Sequence, residues 1–480
     1  MSSIEKGTLY VVISRLYFFL IGYIIYIALA RFLLTPEQFG NYAIVIALVS
    51  IIVAVLASGI EQSISKFVAE KHELAYAIKR KALVALGAIS LAASIAFFLL
   101  AKPIAFLLND LSLAPLIEIS AASIFLFSIY SVCTGCLNGL KDFGKYSLMA
   151  IIYNTFKALF ILGFAFIGYG LFGAITGYVV AAFFALVAAL LIARFEKKEM
   201  PFAFSKLLKF ALPVTMFAAV INLWTDIDLF AVKAFSPVAE AALLSGYYAA
   251  ATTISKLPQM IVVAFAAVLF PLVSGASAQN DSRKTKFYIS SALRYSLLVL
   301  VPIVFLFSST AEQLIVLVYS AKYAQGAIAL QILPFAIAFF SLFLVLATSI
   351  MSSGKPKIAT GIAALMLALG FALNYAFIPV YGIAGAAFAA LISMFLGFCI
   401  AAVCICKEFG VLMSAISAAK IIVAGIIVYA LSISFEVSGM LLVAKYLALV
   451  ALYAAILFAI REINAQDRAV LFNMLRRKAH

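Results

Sequence analysis

The chain has 480 residues, of which 67% are hydrophobic and 11% charged, with a net charge of +15. A water-soluble fold could not cover so much apolar side chain with so few charges, which excludes a soluble globular protein and makes lipid the solvent. The basic excess is scattered over separate loops and a tail, so it reads as a surface facing anionic lipid and excludes a nucleic-acid-binding module.

Apolar stretches of about 20 residues, enough for a helix to cross a bilayer, fall at 8–34, 40–65, 82–108, 115–139, 146–168, 171–194, 206–234, 244–273, 288–319, 325–352, 357–379, 383–406, 412–434 and 438–460. An all-α polytopic membrane protein with 14 transmembrane helices is therefore expected. Span one contains Ala28-Leu29-Ala30, which has the form of a signal-peptide cleavage site. The stretch is too long for that and carries Arg15, so it is read as a retained span. Glu61, near the inner end of span two, is expected to pair with a loop cation. Cys133-x-x-Cys136 lies inside span four with no histidine nearby, and reads as small residues that let helices approach rather than as a metal or redox site.

Lys157 stands roughly 16 Å into span five, near mid-membrane at about 1.5 Å per residue. In span seven, Asp226 and Asn222 share a helical face at i and i+4, a pair that could hold a coupling cation or engage Lys256. Asp228 points elsewhere and is expected to cap the span near Lys233. Lys256 is again near mid-depth in span eight, and Arg294 lies in the inner third of span nine, as Arg15 does in span one. Buried charges cost at least ~2.5 to 3.5 kcal/mol each on insertion scales, so those that persist usually face a wet cavity or a partner. The alternatives for these residues are snorkelling, for Arg15 and Arg294, and an internal salt bridge, for Lys157 and Lys256. Pro213, Pro258, Pro271, Pro302 and Pro334 interrupt spans of the second half, which suggests that this half bends more easily.

Two echoes mark a tandem duplication. Tyr169-Gly170-Leu171-Phe172-Gly173-Ala174 returns 212 positions later as Tyr381-Gly382-Ile383-Ala384-Gly385-Ala386, and Gly40-Asn41-Tyr42-Ala43 returns 206 positions later as Gly246-Tyr247-Tyr248-Ala249. Six spans per repeat is an even number, so the repeats are parallel. The expected organisation is an N-lobe over 1–200, a C-lobe over 201–409, two further spans over 410–460 and a cytoplasmic amphipathic tail over 461–480. Most of the 34 basic residues, Lys79-Arg80-Lys81, Lys197-Lys198 and Arg476-Arg477-Lys478 among them, then fall at cytoplasmic ends. Both termini are placed in the cytoplasm and the chain in the plasma membrane.

Nothing in the residues suggests catalysis. Only His72 and His480 are present, no connecting loop exceeds about twenty residues, and no Gly-x-x-x-x-Gly-Lys-Ser/Thr loop occurs. The chain is expected to move a molecule rather than transform it, with no catalytic residue, metal or cofactor, and with coupling to a Na+ or H+ gradient or to the membrane potential left open. Its partners would be membrane lipids and the transported molecule.

Several segments resemble a family. Leu207-Leu208-Lys209-Phe210-Ala211-Leu212-Pro213, Asp226-Ile227-Asp228-Leu229-Phe230 and Gly246-Tyr247-Tyr248-Ala249-Ala250-Ala251 look like the seventh and eighth helices of Wzx-type polysaccharide-biosynthesis flippases. So do Pro36-Glu37-Gln38-Phe39-Gly40-Asn41-Tyr42 and Val318-Tyr319-Ser320-Ala321-Lys322-Tyr323. The resemblance implies the multidrug/oligosaccharidyl-lipid/polysaccharide exporter superfamily, alongside the lipid II flippase MurJ. It implies two six-helix lobes in a V, two extra C-terminal helices, and a cationic cavity for a polyprenyl- or dolichyl-linked oligosaccharide that is passed on to glycan-assembly enzymes. Arg15, Lys256 and Arg294 could fill the family's basic positions, with Lys157 beside them. The rival reading is a cation-coupled multidrug exporter of the MATE type, which uses acids in its first lobe; here spans one to six were read as holding none at mid-depth. A non-transporting scaffold would leave the buried lysines unexplained.

Overall fold

The computed structural model describes residues 3–196, 200–263, 281–410 and 412–462, with Leu269, Val273 and Gly275 between. The described residues are helical, without strands. In a bilayer every backbone polar group must be satisfied inside the segment, and helices do that. The helices are α1 (Ser3–Ala28), α2 (Pro36–Glu70), α3 (Ala75–Leu99), α4 (Ala101–Leu107), α5 (Leu113–Gly139), α6 (Phe143–Phe164), α7 (Gly170–Ile192), α8 (Phe204–Phe235) and α9 (Ala241–Ser255). They continue as α10 (Ser282–Ser309), α11 (Ala311–Val318), α12 (Ala327–Ser352), α13 (Pro356–Phe409), α14 (Ala415–Ser434) and α15 (Leu441–Ala459).

Local signals set the helix starts. Thr35 and Gln38 form a reciprocal capping box ahead of α2, with Pro36 in the first turn. That explains one of the family-like motifs in part as a helix start. Asp142 caps α6 through the Lys145 amide, and Asp281 caps α10 through Lys284.

Among the described residues, eleven helices are long and apolar enough to span a bilayer. Two of them, Phe143–Ile192 and Pro356–Phe409, are pairs of spans folded back at glycine. Gly170 has φ 49 and ψ −126, and Gly382 has φ 57 and ψ −135. Side-chain-bearing residues are excluded from this region, so the two members of the first echo adopt one unusual turn that only glycine permits. The eighth expected span differs from its reading: α9 ends at Ser255, a turn covers 256–258 ahead of Pro258, and helix resumes only to the limit of the described residues at 263. Each of the remaining expected spans falls on helix, two of them with a break near the end, which is consistent with fourteen.

The structure adds a third correspondence. Spans three and nine end early, at Leu99 and Ser309, and each is followed by a short helix, α4 or α11. Their apolar composition made them look like continuations of the spans. Phe106 and Leu107 of α4 are well exposed, as expected of a helix lying in lipid rather than packed in protein.

Compactness and duplication divide the chain differently. One unit is Met1–Ala249 with Asn374–Gly382, and the other is Ala250–Leu373 with Ile383–His480. α8 belongs to the first because it packs extensively along α2, with the Ser63 hydroxyl donating to the Leu207 carbonyl at 2.9 Å. Within this unit the members of the second echo touch: a Cβ on Gly40 would strike the Ala242 carbonyl, and one on Gly246 would strike that of Pro36. Cys133 and Cys136 are free and buried in α5, which packs tightly on α2. In the second unit, α14 and α15 close over α10 through Val301, Leu306, Ile421, Val428, Tyr453 and Leu457. The expected amphipathic tail, with Ile463, Val470, Leu471 and Met474 on one face, lies outside the described residues, as do Lys197, Lys198 and Pro271.

Candidate functional site

In the first unit α1 and α6 run side by side in the same direction. Gly7 abuts Phe143, the Tyr17 hydroxyl meets Thr155 Oγ1 at 2.8 Å, and Leu33 lines a cleft with Leu162 and Phe166. This register sets Arg15 level with Tyr153, so Lys157 lies about 6 Å further along the bilayer normal at 1.5 Å per residue. Two sequence-predicted cations thus come from adjacent helices at neighbouring depths. Among the described residues, neither has a carboxylate within ion-pair distance.

What surrounds Lys157 is polar but neutral. Its ammonium lies 5.9 Å from the ring centroid of Tyr178 on α7, a cation–π arrangement. Tyr178 hydrogen-bonds Tyr153 and Ser50. The rings of Tyr130 and Tyr153 are 5.9 Å apart, and those of Tyr26 and Tyr42 are 5.8 Å apart. Phenols orient and solvate a cation without cancelling its charge, so it keeps its attraction for an incoming anion. The sequence reading named the lysine and missed this tyrosine setting, because tyrosines in an apolar span look like ordinary core.

Glu61 departs from its expected pairing with a loop cation. α2 runs nine residues past it to Glu70, which buries the carboxylate about 13 Å from the helix end. It accepts a hydrogen bond from Thr134 and lies within electrostatic reach of Tyr130 and Tyr146, and Tyr146 is also within reach of Arg15. No described cation is within ion-pair distance of it. Glu61 therefore lies inside the helix packing rather than at the end of its span.

On α8 the Asn222 amide donates to the Ala218 carbonyl of its own helix, and Asp226 lies within electrostatic reach of Tyr26. Asp228 is buried and does not serve Lys233 as expected. It accepts from the Asn374 amide at 2.6 Å and is hydrogen-bonded to Tyr248. Lys233, only 1% exposed, instead pairs with Asp110 at 2.7 Å and donates to the Asn41 side-chain Oδ1 at 2.9 Å. The reason is reach: α8 packs on α2, whose first turns carry Asn41, while Asp110 sits in the turn just before α5. Burial pushes the Asp110 carboxyl up, but hydrogen bonds from Lys233 and Ser112 and the Lys233 charge outweigh it and hold that carboxyl below its usual range. Asn374 was findable as a lone amide inside an apolar span; Asp110 carried no such signal.

In the second unit Lys256 occupies the turn that ends α9, with its amide bonded to the Thr252 carbonyl. A break beside a proline inside a membrane span is where a polar side chain and free carbonyls can face a ligand. Arg294 is held differently. Its Nε donates to Glu462 Oε1 at 2.9 Å and its other nitrogen to the Glu462 carbonyl, while Lys420 lies 3.9 Å from Oε2 and the Ser417 hydroxyl donates to Oε1. The sequence reading missed Glu462 because it follows the last span, far along the chain from Arg294. No group of three or more His, Cys, Asp or Glu side chains fit for a metal occurs among the described residues.

Comparison with known proteins bears on what this arrangement serves. An uncharacterized membrane protein of Methanocaldococcus jannaschii is 24% identical over 417 residues, spanning 82% of this chain and 95% of the relative. A probable low-salt glycan biosynthesis flippase, Agl15 of Haloferax volcanii, is 24% identical over 148 residues, 31% of each chain. Among solved structures, the lipid II flippase MurJ in an inward closed conformation aligns with a TM-score of 0.78 at 17% identity, covering 95% of this chain and 99% of that one. An inward-facing MATE multidrug transporter aligns with a TM-score of 0.66 at 14% identity, covering 80% and 94%. These structures show the fold, that of a multi-pass helical membrane protein. The profile of a family described as "Polysaccharide biosynthesis protein" matches residues 28–328, more than half of the sequence, and the chain belongs to that family.

Proposed function

We propose that the protein flips a lipid-linked oligosaccharide, carried on a polyprenyl or dolichyl phosphate or pyrophosphate, from the cytoplasmic to the outer leaflet by alternating access, for surface polysaccharide or glycan assembly. The observation that carries this reading is the Arg15 and Lys157 pair: cations on neighbouring helices, Lys157 against the Tyr178 ring and Arg15 within electrostatic reach of Tyr146, with no described carboxylate to neutralise them. A phosphate or pyrophosphate is the anion such a pair suits, since it can accept from an arginine fork and a lysine together. Family membership and the glycan-flippase relative support the same cargo. Lys256, at its helix break, is the corresponding candidate in the second unit.

The Asp228, Asn374 and Tyr248 cluster, with Asp226 and Asn222 on the same helix, is the proposed seat of coupling to a Na+ or H+ gradient. The membrane potential is the alternative drive. Both termini are placed in the cytoplasm and the chain in the plasma membrane, and no chemical transformation of the cargo is required. The test is reconstitution in vesicles with a fluorescent polyprenyl-diphosphate oligosaccharide, scoring arrival at the opposite leaflet with a membrane-impermeant reagent. Wild-type protein accelerates arrival and Lys157→Ala does not; arrival no faster than in empty vesicles would remove the proposal.

Glu61 favours a second reading, the MATE-type exporter, because an acid buried in the first repeat is what proton or sodium exchange for a cationic drug needs. Cation-driven efflux of an organic cation that is lost in Glu61→Gln, together with no oligosaccharide flipping, would select it.

A further inference from the structure

A ring of three side chains closes one end of the first compact unit. The Lys233 ammonium bonds Asp110 Oδ2 at 2.7 Å and Asn41 Oδ1 at 2.9 Å, and the Asn41 amide donates to the same Asp110 oxygen at 3.3 Å. Beside the ring, the Asn109 side-chain amide donates to the Ala234 carbonyl at 2.7 Å. These bonds tie the turn ahead of α5 and the start of α2 to the last turn of α8. The sequence echoes assign the first two to one repeat and α8 to the other, and the charge pattern assigns this end to the outer face.

A buried ion pair adds little net stability, because desolvation offsets the attraction, and its best attested uses are register and switching. Three features suit this pair to opening. Asp110 Oδ1 is held separately by the Ser112 amide at 2.9 Å and by the Ser112 hydroxyl, so the carboxylate stays bonded when Lys233 departs. Asp110 is 20% exposed, and water can take the place the lysine leaves. Lys233 stands in the last turn of α8, where the helix dipole favours a cation with or without a partner. Nearby, Gly40 and Gly246 bring α2 and α9 into backbone contact without interlocked side chains, so the ring supplies the directional bonds at this end.

We propose that Asp110, Lys233 and Asn41 form a latch on the outer end of this unit. Closed, as here, it bars the way from outside to Tyr178 and Lys157; it parts when the protein opens to the outer leaflet. The inference rests on the alternating-access reading above and adds to it the bonds that must break. The ring differs in this from the Arg294 and Glu462 pair, whose carboxylate is 7% exposed and also engages Lys420 and Ser417.

The test follows a thiol behind the latch in the full-length protein. Ser50 on α2 lies about 13 Å further in than Asn41 and hydrogen-bonds Tyr178. In right-side-out vesicles, Ser50→Cys is labelled from outside with a membrane-impermeant methanethiosulfonate, and the chain without that change gives the background. Asp110→Ala and Lys233→Met should each speed labelling at least fivefold. Asp110 sits on a partly exposed turn that tolerates alanine, so this variant decides the matter if Lys233→Met does not insert. The exchanged pair, Asp110→Lys with Lys233→Asp, should return the rate to within about twofold of the starting protein. Glu462→Ala, which weakens the fold elsewhere, should leave it unchanged. An unaltered rate in Asp110→Ala, no slowing by the exchanged pair, or equal acceleration by Glu462→Ala would each overturn the latch. The readout needs no cargo, so its failure is distinct from a failure of the flippase reading, which shows as absent oligosaccharide flipping by wild type.

Discussion

Arg15 and Lys157 in the first compact unit and Arg294 in the second are treated in opposite ways. Lys157 lies against the Tyr178 ring and Arg15 within electrostatic reach of Tyr146, with no described carboxylate in ion-pair range of either; Arg294 is locked to Glu462, which also gathers Lys420 and Ser417. An uncompensated deep cation is a standing cost of at least about 2.5 kcal/mol, and a protein keeps one where something outside the fold compensates it. A paired one is already satisfied and serves architecture. The difference separates a site that awaits a ligand from a clasp that fixes the exit of α15.

That contrast can be broken by substitution. Removing Lys157 should weaken binding of a polyprenyl-diphosphate oligosaccharide by about a hundredfold, near 2.7 kcal/mol for a lost charge-assisted contact. Because no internal partner is orphaned, unfolding temperature should hold or rise slightly. The opposite signature is expected at the clasp. Glu462→Ala removes the carboxylate that Arg294 is paired with and should lower stability by about 3 kcal/mol, and the double change Arg294→Met, Glu462→Met should restore most of it. Thermal unfolding in detergent reads both; a larger stability loss from Lys157→Ala than from Glu462→Ala would erase the distinction.

The repeats sharpen the comparison from another side. Gly170→Ala and Gly382→Ala each force a side chain into a backbone conformation it cannot hold, at about 1 to 3 kcal/mol. Similar losses at the two turns are expected, and a neutral change at either would mean that the turn relaxes. The smallest effect concerns Asp110. Its carboxyl is held below the ordinary aspartate value of 3.8, so its pairing with Lys233 stabilises the fold above that pH and the contribution fades as pH falls through the depressed value. Asp110→Asn should flatten that part of an acid-unfolding curve; an unchanged curve would show that the pair contributes nothing.

Much of the fold was legible because a bilayer leaves few options. Apolar length marked the spans, and the first glycine echo marked both hairpin turns; the second echo singled out Gly40 and Gly246 without showing that they touch. The breaks after Leu99 and Ser255 were not legible, since hydropathy continues through them while the backbone does not. The candidate site was legible in part. Deep cations stand out in an apolar sequence, so Arg15 and Lys157 could be named, but their partners could not. Glu462 and Asp110 act across long sequence separations, and whether Arg294 was free or paired depended on one carboxylate beyond the last span. The setting of Glu61 was not legible because its neighbours Thr134, Tyr130 and Tyr146 come from α5 and α6, far along the chain.

The most direct measurement compares two charge-removed variants in reconstituted vesicles: Arg15→Gln with Lys157→Met, and Arg294→Met with Glu462→Met. With insertion verified for both, the account expects the first to lose flipping of the lipid-linked oligosaccharide and the second to retain most of it. Wild-type flipping by the first variant would contradict it.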